Sequence, residues 1–460
     1  MDNNKHETAV SAVSSAKIIS LAKRRGFVYP SSEIYGGLAN VYDYGPLGVE
    51  LLRNIRELWW KNFVQKRSDI VGIESAIFMH PQVWVASGHA SGFSDPLTED
   101  KVTHKRFRAD HLIDEWHKSN NTTPIDTDKL SLEELNAYII GNKIKSPEGN
   151  DLTPVKQFNL MFTTQLGTTE DSASKLYLRA ETAQGMYVDF KNILDSSRVK
   201  VPFGVAQQGR VFRNEITTGK FLFRMLEFQQ MEIQYFFDGK AWEEQFETWR
   251  KEIENWYFNI LDISKDKMRW KPHAKLIFYA KAAEDIQYKF AWGFDEVSGL
   301  HYRTDYDLQT HQKHSGQNLE YTDPNTLEKY LPHVLETTWG LDRNFFMILD
   351  NAYVEDGERT YLKLSPALAP YKAAVFPLVS NKDEIVNKAK EVFDMLSDKL
   401  NVAFDSRGNI GKRYFAQDEI GTPVCITIDY QTLEDQTVTV RDRDTTEQKR
   451  VKISELLGLL

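Results

Sequence analysis

The chain predicts an α+β fold: a large unit built on long antiparallel strands flanked by helices, followed by a smaller α/β unit. Three observations carry this reading. Aromatic and β-branched residues dominate 201–237 on both sides of Thr217-Thr218-Gly219-Lys220, the pattern of two long strands joined by a turn. Behind Gly45-Pro46, the residues Leu47, Leu51, Ile55, Leu58, Trp59 and Phe63 recur at spacings of three or four, and proline suits a first helical position. Beyond Pro366 strand-like and helix-like segments alternate, the rhythm of a separate α/β unit.

In chain order, residues 1–16 are rich in Ser, Asn and Ala and read as a flexible terminus. The amphipathic helix runs from Pro46 to about Val64, and an apolar strand follows from Ile70 to Phe78, closed by Pro81. Turn signals around a short helix at Leu132–Ile139 make 110–154 an inserted surface excursion. Two antiparallel strands flank a mobile basic loop in 201–237. A Trp-rich acidic helix covers Trp242 to Asp262, within a further insertion over about 239–300. Strands are expected near Leu276–Ala280 and Arg303–Asp307, and a helix from Leu341 to Leu349. Two prolines in 364–370 mark a boundary, giving units of 17–365 and 366–460.

Composition narrows the class. The 460 residues are 41% hydrophobic and 27% charged, values of an ordinary globular protein. The one cysteine, Cys425, excludes an internal disulfide and a Cys-rich zinc module, and agrees with a reducing cytoplasm. No apolar run approaches the ~18 residues of a membrane span, and the opening is too polar for a signal peptide. The formal net charge of -9 argues against a nucleic-acid partner, because phosphate binding depends on Lys and Arg. Locally the balance reverses: between Arg198 and Arg224 six cations face one acid, Glu215.

The chain lacks a P-loop, GxGxxG and HExxH, and His311 with His314 reads as a loop pair rather than a metal site. The informative segment is Phe212-Arg213-Asn214-Glu215 followed by Phe223–Glu232. Strand alternation puts Arg213 with Glu215 on one face, and Phe228, Gln230 and Glu232 on one face of the returning strand. An Arg for phosphate, an acid for an amino group and an aromatic for a flat ring make an inventory for a nucleotide. A salt-bridged hairpin with Phe228 in the core fits the same residues equally. A second cluster, Gly340-Leu341-Asp342-Arg343, sets a cation in the first turn of a helix, against the helix dipole. A bound polyanion accounts for that, and so does an ion pair with Asp342 or Glu336.

Together these segments resemble the signature motifs of class II aminoacyl-tRNA synthetases. The helix and strand ending at Pro81 look like the first motif, Phe212-Arg213-x-Glu215 with Phe228-x-x-x-Glu232 like the second, and Gly340-x-Asp342-Arg343 like the third. The resemblance narrows to the homodimeric glycyl-tRNA synthetase family through residues 23–48, SGHASGFSDPL (87–97), RFRADH (106–111), FNLMF (158–162), RAETAQG (179–185), RTDYDL (303–308), LAPYKAAVFPL (368–378) and RDRDT (441–445). Departures are Ala180 for a usual Pro, Glu336-Thr337-Thr338 for Glu-Pro-Ser, and Val297 for Leu, with the Thr338 hydroxyl replacing that of the serine.

The resemblance implies a class II antiparallel sheet flanked by helices, an anticodon-binding C-terminal domain, and ATP-dependent attachment of glycine to tRNA(Gly) through a glycyl-adenylate. Partners implied are ATP, glycine, tRNA(Gly) and a second copy of the chain, with no DNA and no membrane; Mg2+ accompanies ATP. Arg213 and Arg343 are the implied catalytic pair. ATP falls to Arg213, Asn214, Glu215, Phe223, Arg224, Met225, Leu226, Glu227, Phe228, Glu296, Val297, Gly340, Leu341, Asp342 and Arg343, with Glu296 also the metal contact. Glycine falls to Arg108 at its carboxylate, to Glu181, Glu232 and Glu336 at its ammonium, and to Phe228, Gln229, Gln230, Met231, Thr337, Thr338, Trp339 and Gly340. Arg441 and Arg443 are the anticodon candidates, against the alternative of a charged edge strand. Because every competitor of glycine is larger, a filled pocket rejects it by overpacking, and no editing domain is expected.

Overall fold

A computed structural model describes residues 15–167, 175–216, 220–274, 276 and 279–460. Helix α1, Pro46–Trp60, starts on Pro46 and buries Leu47, Leu51, Leu52, Ile55 and Trp59, as the apolar stripe requires. It continues into a wider π-helical turn, Lys61–Gln65, that buries Phe63 and Val64.

This helix packs on a seven-stranded sheet made of β1 (Ile70–Gly72), β2 (Phe203–Phe212), β3 (Glu227–Phe237), β4 (Met268–Pro272), β5 (Ala282–Phe290), β6 (Gly293–Thr304) and β7 (His333–Gly340). The spatial order is β4-β5-β6-β7-β3-β2-β1, antiparallel throughout except for the parallel β1–β2 pair. Alternation along β3 and β7 divides the sheet into two faces. Met231, Ile233, Tyr235, Leu335 and Trp339 enter the main core beneath α1 and helix α4 (Trp242–Asn255), while Phe228, Gln230, Glu232, Glu336 and Thr338 line a cavity on the opposite face. Helix α5 (Leu341–Ala352) follows β7 directly and fills the core with Phe345, Phe346 and Leu349.

The excursion over 110–154 carries its own small core. Helices α2 (Ala109–Asn120) and α3 (Leu132–Gly141) bring Leu112, Ile113, Leu135 and Ile139 together, and Ser131 caps α3 in a capping box with Glu134.

Several expectations change. The strand expected over 70–78 ends at Gly72, because β1 is an edge strand that pairs only with β2, and Pro81 opens a helix, Pro81–Ala86, instead of closing a strand. The segment over 239–300 does not stand outside the fold: it supplies β4, β5 and most of β6. The strand expected at Arg303–Asp307 is the end of β6 plus the first turn of helix Tyr306–Ser315, where Arg303 and Asp307 pair four residues apart. Of the strand expected near Leu276–Ala280, residues 277 and 278 lie outside the described residues, as does 217–219 of the basic turn; Leu276, Tyr279 and Ala280 are not in a strand. Residues 1–14 of the terminal segment also lie outside, and the chain is already helical at residues 15 and 16.

The C-terminal sheet has five strands: β8 (Ala373–Pro377), β9 (Val402–Phe404), β10 (Val424–Ile428), β11 (Thr437–Asp442) and β12 (Gln448–Lys452), ordered β9-β8-β10-β11-β12. Helices α6 (Asp383–Ser397) and α7 (Ile410–Ile420) cover it, and α6 packs Ile385, Ala389, Val392 and Leu396 over a core separate from the first. The two bodies are clasped by buried polar contacts. Arg359 Nε donates to Asp418 Oδ2 at 2.8 Å, and Arg443 Nη1 donates to the carbonyls of Leu364 (2.9 Å) and Gly421 (2.8 Å).

Candidate active site

Motif residues from the turn after β2, from β3, β6 and β7 and from the start of α5 enclose a cavity of about 480 Å³, a size that suits a small-molecule ligand. Its walls differ in charge.

At one end lie three carboxylates. Glu232 on β3 faces Glu336 on β7, with Gln234 between them: Gln234 Nε2 donates to Glu232 Oε1 (2.6 Å) and Glu336 Oε2 (3.1 Å). The hydroxyl of Thr182 donates to Glu232. Arg303 is the cation of the group, donating to Glu336 Oε2 at 2.8 Å and forking onto Asp307 at 2.8 and 3.0 Å. Glu181 accepts from Gln184 Nε2 at 2.8 Å and lies 3.3 Å from His89 Nε2. Burial and the charges of Glu336 and Glu181 push the Glu232 carboxyl well above its usual range. Burial opposes ionisation of Glu336 too, but Arg303 and His301 overcome it and hold that carboxyl at about 2. Glu181 is held below the usual range against the same burial, chiefly by His89 and Arg303. One guanidinium thus faces Glu181, Glu336 and Asp307, while burial and the neighbouring carboxylates oppose ionisation of Glu232. Among the described residues, carboxylates outnumber guanidinium groups at this end.

At the other end lie arginines. Arg213 donates from Nε to the Ala180 carbonyl at 3.0 Å, and its guanidinium carbon sits 5.4 Å from the Phe93 ring and 5.3 Å from that of Phe228. Among the described residues no carboxylate pairs with Arg213 or with Arg224, and both line the cavity. Arg343 is held differently. It stacks on Phe223 at 4.5 Å, donates to the Phe223 carbonyl at 3.2 Å, and pairs with Glu296 Oε2 at 3.0 Å rather than with Asp342 or Glu336. Against burial, Arg343 lowers the Glu296 carboxyl. Asp342 accepts the Gln229 backbone N–H at 2.6 Å and the Tyr44 hydroxyl, and burial raises its carboxyl to about 6.

The hairpin reading gains one correction. Strand β2 ends at Phe212, and a tight turn in which Glu215 N–H reaches the Arg213 carbonyl at 2.7 Å replaces strict alternation; Arg213 and Glu215 nevertheless share the cavity wall. Phe223, Met225, Phe228, Gln229, Gln230, Glu296, Thr338, Gly340 and Arg343 line it as well. The backbone of Gly340 is ordinary, and its lack of a side chain makes room for Arg343, whose Cδ would lie 3.1 Å from an added Cβ.

Other expected contacts lie elsewhere. Met231, Thr337, Trp339, Val297 and Leu341 are fully buried and do not line the cavity, because each falls on the core-facing side of its element. Asn214 and Leu226 brace the hairpin through backbone bonds: Asn214 N–H donates to Leu160 and Leu226 N–H to Asn40. Glu227 pairs with Arg210 at the surface. Arg108 forks onto Asp110 and pairs with Asp95 at 2.7 Å, outside the cavity wall. Arg441 and Arg443 are buried. Arg441 forks onto Asp418 at 2.8 and 2.9 Å, and β11 is an inner strand covered by β12, so neither the anticodon contact nor the edge-strand alternative describes them.

The sequence reading missed Arg303, Asp307, His301, His89 and Gln184. Arg303 and Asp307 stood in RTDYDL and His89 in SGHASG. The available signal was the i,i+4 spacing of an arginine and an acid at a strand-to-helix junction.

Residues 162–399 match the tRNA synthetase class II core domain (G, H, P, S and T), and residues 372–460 match an anticodon binding domain. A glycine–tRNA ligase of Chlorobaculum tepidum is 49% identical over 464 residues, spanning 96% of this chain and 98% of its own. One from Clostridium tetani is 51% identical over 451 residues, 96% of each chain, and one from Borrelia garinii subsp. bavariensis 49% identical over 452 residues, again 96% of each.

Proposed function

The chain belongs to the glycine–tRNA ligases of class II, which join glycine to tRNA at the expense of ATP, and from that premise we propose how its cavity divides the work. The observation that carries the proposal is the pairing of a cation-deficient end and an anion-seeking end in one cavity. Glycine is a zwitterion and ATP a polyanion. The ammonium belongs among Glu181, Glu232 and Glu336, and its arrival offsets the repulsion among these carboxylates. The glycine carboxylate is then directed at the α-phosphate. Being ionised at neutral pH, it needs no general base.

Arg213, unpaired and fixed between two aromatic rings, meets the α-phosphate and stabilises the charge that develops as the carboxylate oxygen bonds to phosphorus and pyrophosphate leaves. Arg343, clamped by Glu296 and Phe223, holds the γ-phosphate end, and Arg224 adds a second contact. Glu215 accepts from the adenine amino group and Phe228 stacks on its ring. The 3' terminal hydroxyl of tRNA(Gly) then takes the glycyl group and AMP departs. Mg2+ is held by one or two carboxylates plus phosphate oxygens, and Glu296 fits: it lies in the cavity wall beside Arg343. When bound, that ion neutralises phosphate charge.

Residues 17–365 form the catalytic unit and 366–460 the anticodon unit in this reading. With Arg441 and Arg443 buried, base stacking falls to exposed groups such as Phe415, beside exposed Lys412 on α7. A homodimer is supported by exposed Ile34, Tyr35, Leu38 and Val49 around the start of α1, an apolar surface that a second copy would cover. The cytoplasm is supported by the single buried thiol, and no described helix is long and apolar enough to cross a membrane.

Exchange of labelled pyrophosphate into ATP tests the reading. Glycine alone should support exchange, while alanine, serine, threonine, proline and histidine should not. Absence of glycine-dependent exchange in the pure protein would overturn it.

A further inference from the structure

His273, Asp285 and His301 meet in the wall of the same cavity, and each offers one ligand atom within 4.8 Å of the others. They come from three neighbouring strands. His273 follows β4 and donates its backbone N–H to the Ala283 carbonyl at 3.0 Å, Asp285 lies on β5 and His301 on β6. The sheet ladder therefore fixes their spacing. His273 Nε2 lies 2.8 Å from Asp285 Oδ1, and the two imidazole centroids are 5.5 Å apart.

The ring of His301 is already oriented. Its Nδ1 lies 2.8 Å from Glu336 Oε1, so that nitrogen donates to the carboxylate and Nε2 is left as the ligand atom. A metal-bound histidine ordinarily gives its other N–H to a carboxylate or carbonyl, which fixes its tautomer. Gly299, the register partner of Asp285, makes room for the ring: a β-carbon there would approach His301 Cε1 to 2.8 Å and Nε2 to 3.2 Å.

We propose that His273, Asp285 and His301 bind one divalent ion of the zinc class, with a fourth, open position facing the cavity. Two imidazoles and a carboxylate form the donor set of three-ligand zinc sites, which keep a position for water. The set is ill suited to Mg2+, which prefers oxygen, so this site is separate from the ion that accompanies ATP. The inference does not rest on the aminoacylation reading.

The test is a titration of the full chain, stripped of metal by a chelator, with Co2+. One Co2+ per chain should bind with an intense visible band of low coordination number, and Zn2+ should displace it. His273→Gln and Asp285→Asn, checked for folding by thermal unfolding, should each weaken binding at least ~10-fold. No band in folded wild-type protein at millimolar Co2+ would overturn the proposal, leaving the residues a plain ion pair. A band that survives both substitutions would overturn it as well. Should a variant fail to fold, X-ray absorption of the Zn2+-loaded wild type decides: two imidazoles with oxygen support the site, and a shell of oxygen alone refutes it.

Discussion

Two arginine pairs in this chain look alike in sequence and have opposite fates. Arg213 and Arg224, at the mouth of the catalytic hairpin, line a cavity with no carboxylate partner among the described residues. Arg441 and Arg443, in a stretch where each is followed by an aspartate, are buried and spent on Asp418 and on backbone carbonyls. An arginine is available to phosphate only where the fold leaves its fork unpaired. Strand order decides this: Arg213 follows the last residue of β2, where the ladder stops, whereas Arg441 sits inside β11 with neighbours on both sides.

The largest expected effect falls on the committed pair. Asp418 accepts from both Arg359 and Arg441, so Asp418→Ala should destabilise the protein by about 3–5 kcal/mol in denaturant unfolding, as expected when a buried charge loses its partner. A loss below about 1 kcal/mol would break the distinction drawn here. Arg213→Ala should do the reverse, leaving the unfolding midpoint near wild type while cutting glycine-dependent pyrophosphate exchange by a factor on the order of 10²–10³. Near-normal exchange would refute its role.

Asp342 gives an intermediate effect with a definite sign. Its carboxyl is raised from 3.8 to about 6 in the folded state, so its contribution to stability is full below the unfolded value and is lost as pH rises through about 6. The linked loss is about 3 kcal/mol. Asp342→Asn should therefore gain stability relative to wild type between about pH 4 and pH 7, read by urea unfolding at each end; an equal difference at both pH values would contradict the assignment. The smallest effect belongs to Glu227, whose pairing with Arg210 is at the surface. Glu227→Gln should shift stability by less than about 1 kcal/mol and leave the KM for ATP unchanged, and a large rise in KM would return Glu227 to the ATP site.

The long elements were legible because their signals are periodic. The stripe from Leu47 to Phe63 and the aromatic run through β2 and β3 each bury a continuous face, and both helix and hairpin lie where expected. Arg213, Glu215, Phe228 and Glu232 were legible as a group because a hairpin brings them together over a short stretch of chain. Arg303 was not, for its partner Glu336 is supplied by β7, a contact that no local pattern encodes; only the i,i+4 spacing to Asp307 was local. For Arg441 and Arg443 the residue type was right and the burial invisible, since it depends on Asp418 and on the Leu364 and Gly421 carbonyls, all distant in sequence. Strands β4 and β5 fall within the segment read as an insertion, yet β5 turns directly into β6 through two residues and so extends the main sheet.

The clasp between Arg359, Asp418 and the 441–443 strand has a geometric consequence for the nucleic acid. Two bodies joined through buried charge cannot slide past one another without exposing that charge to an apolar interior. The cavity and the anticodon binding domain are therefore held at a set separation, and an RNA that reaches both must span it.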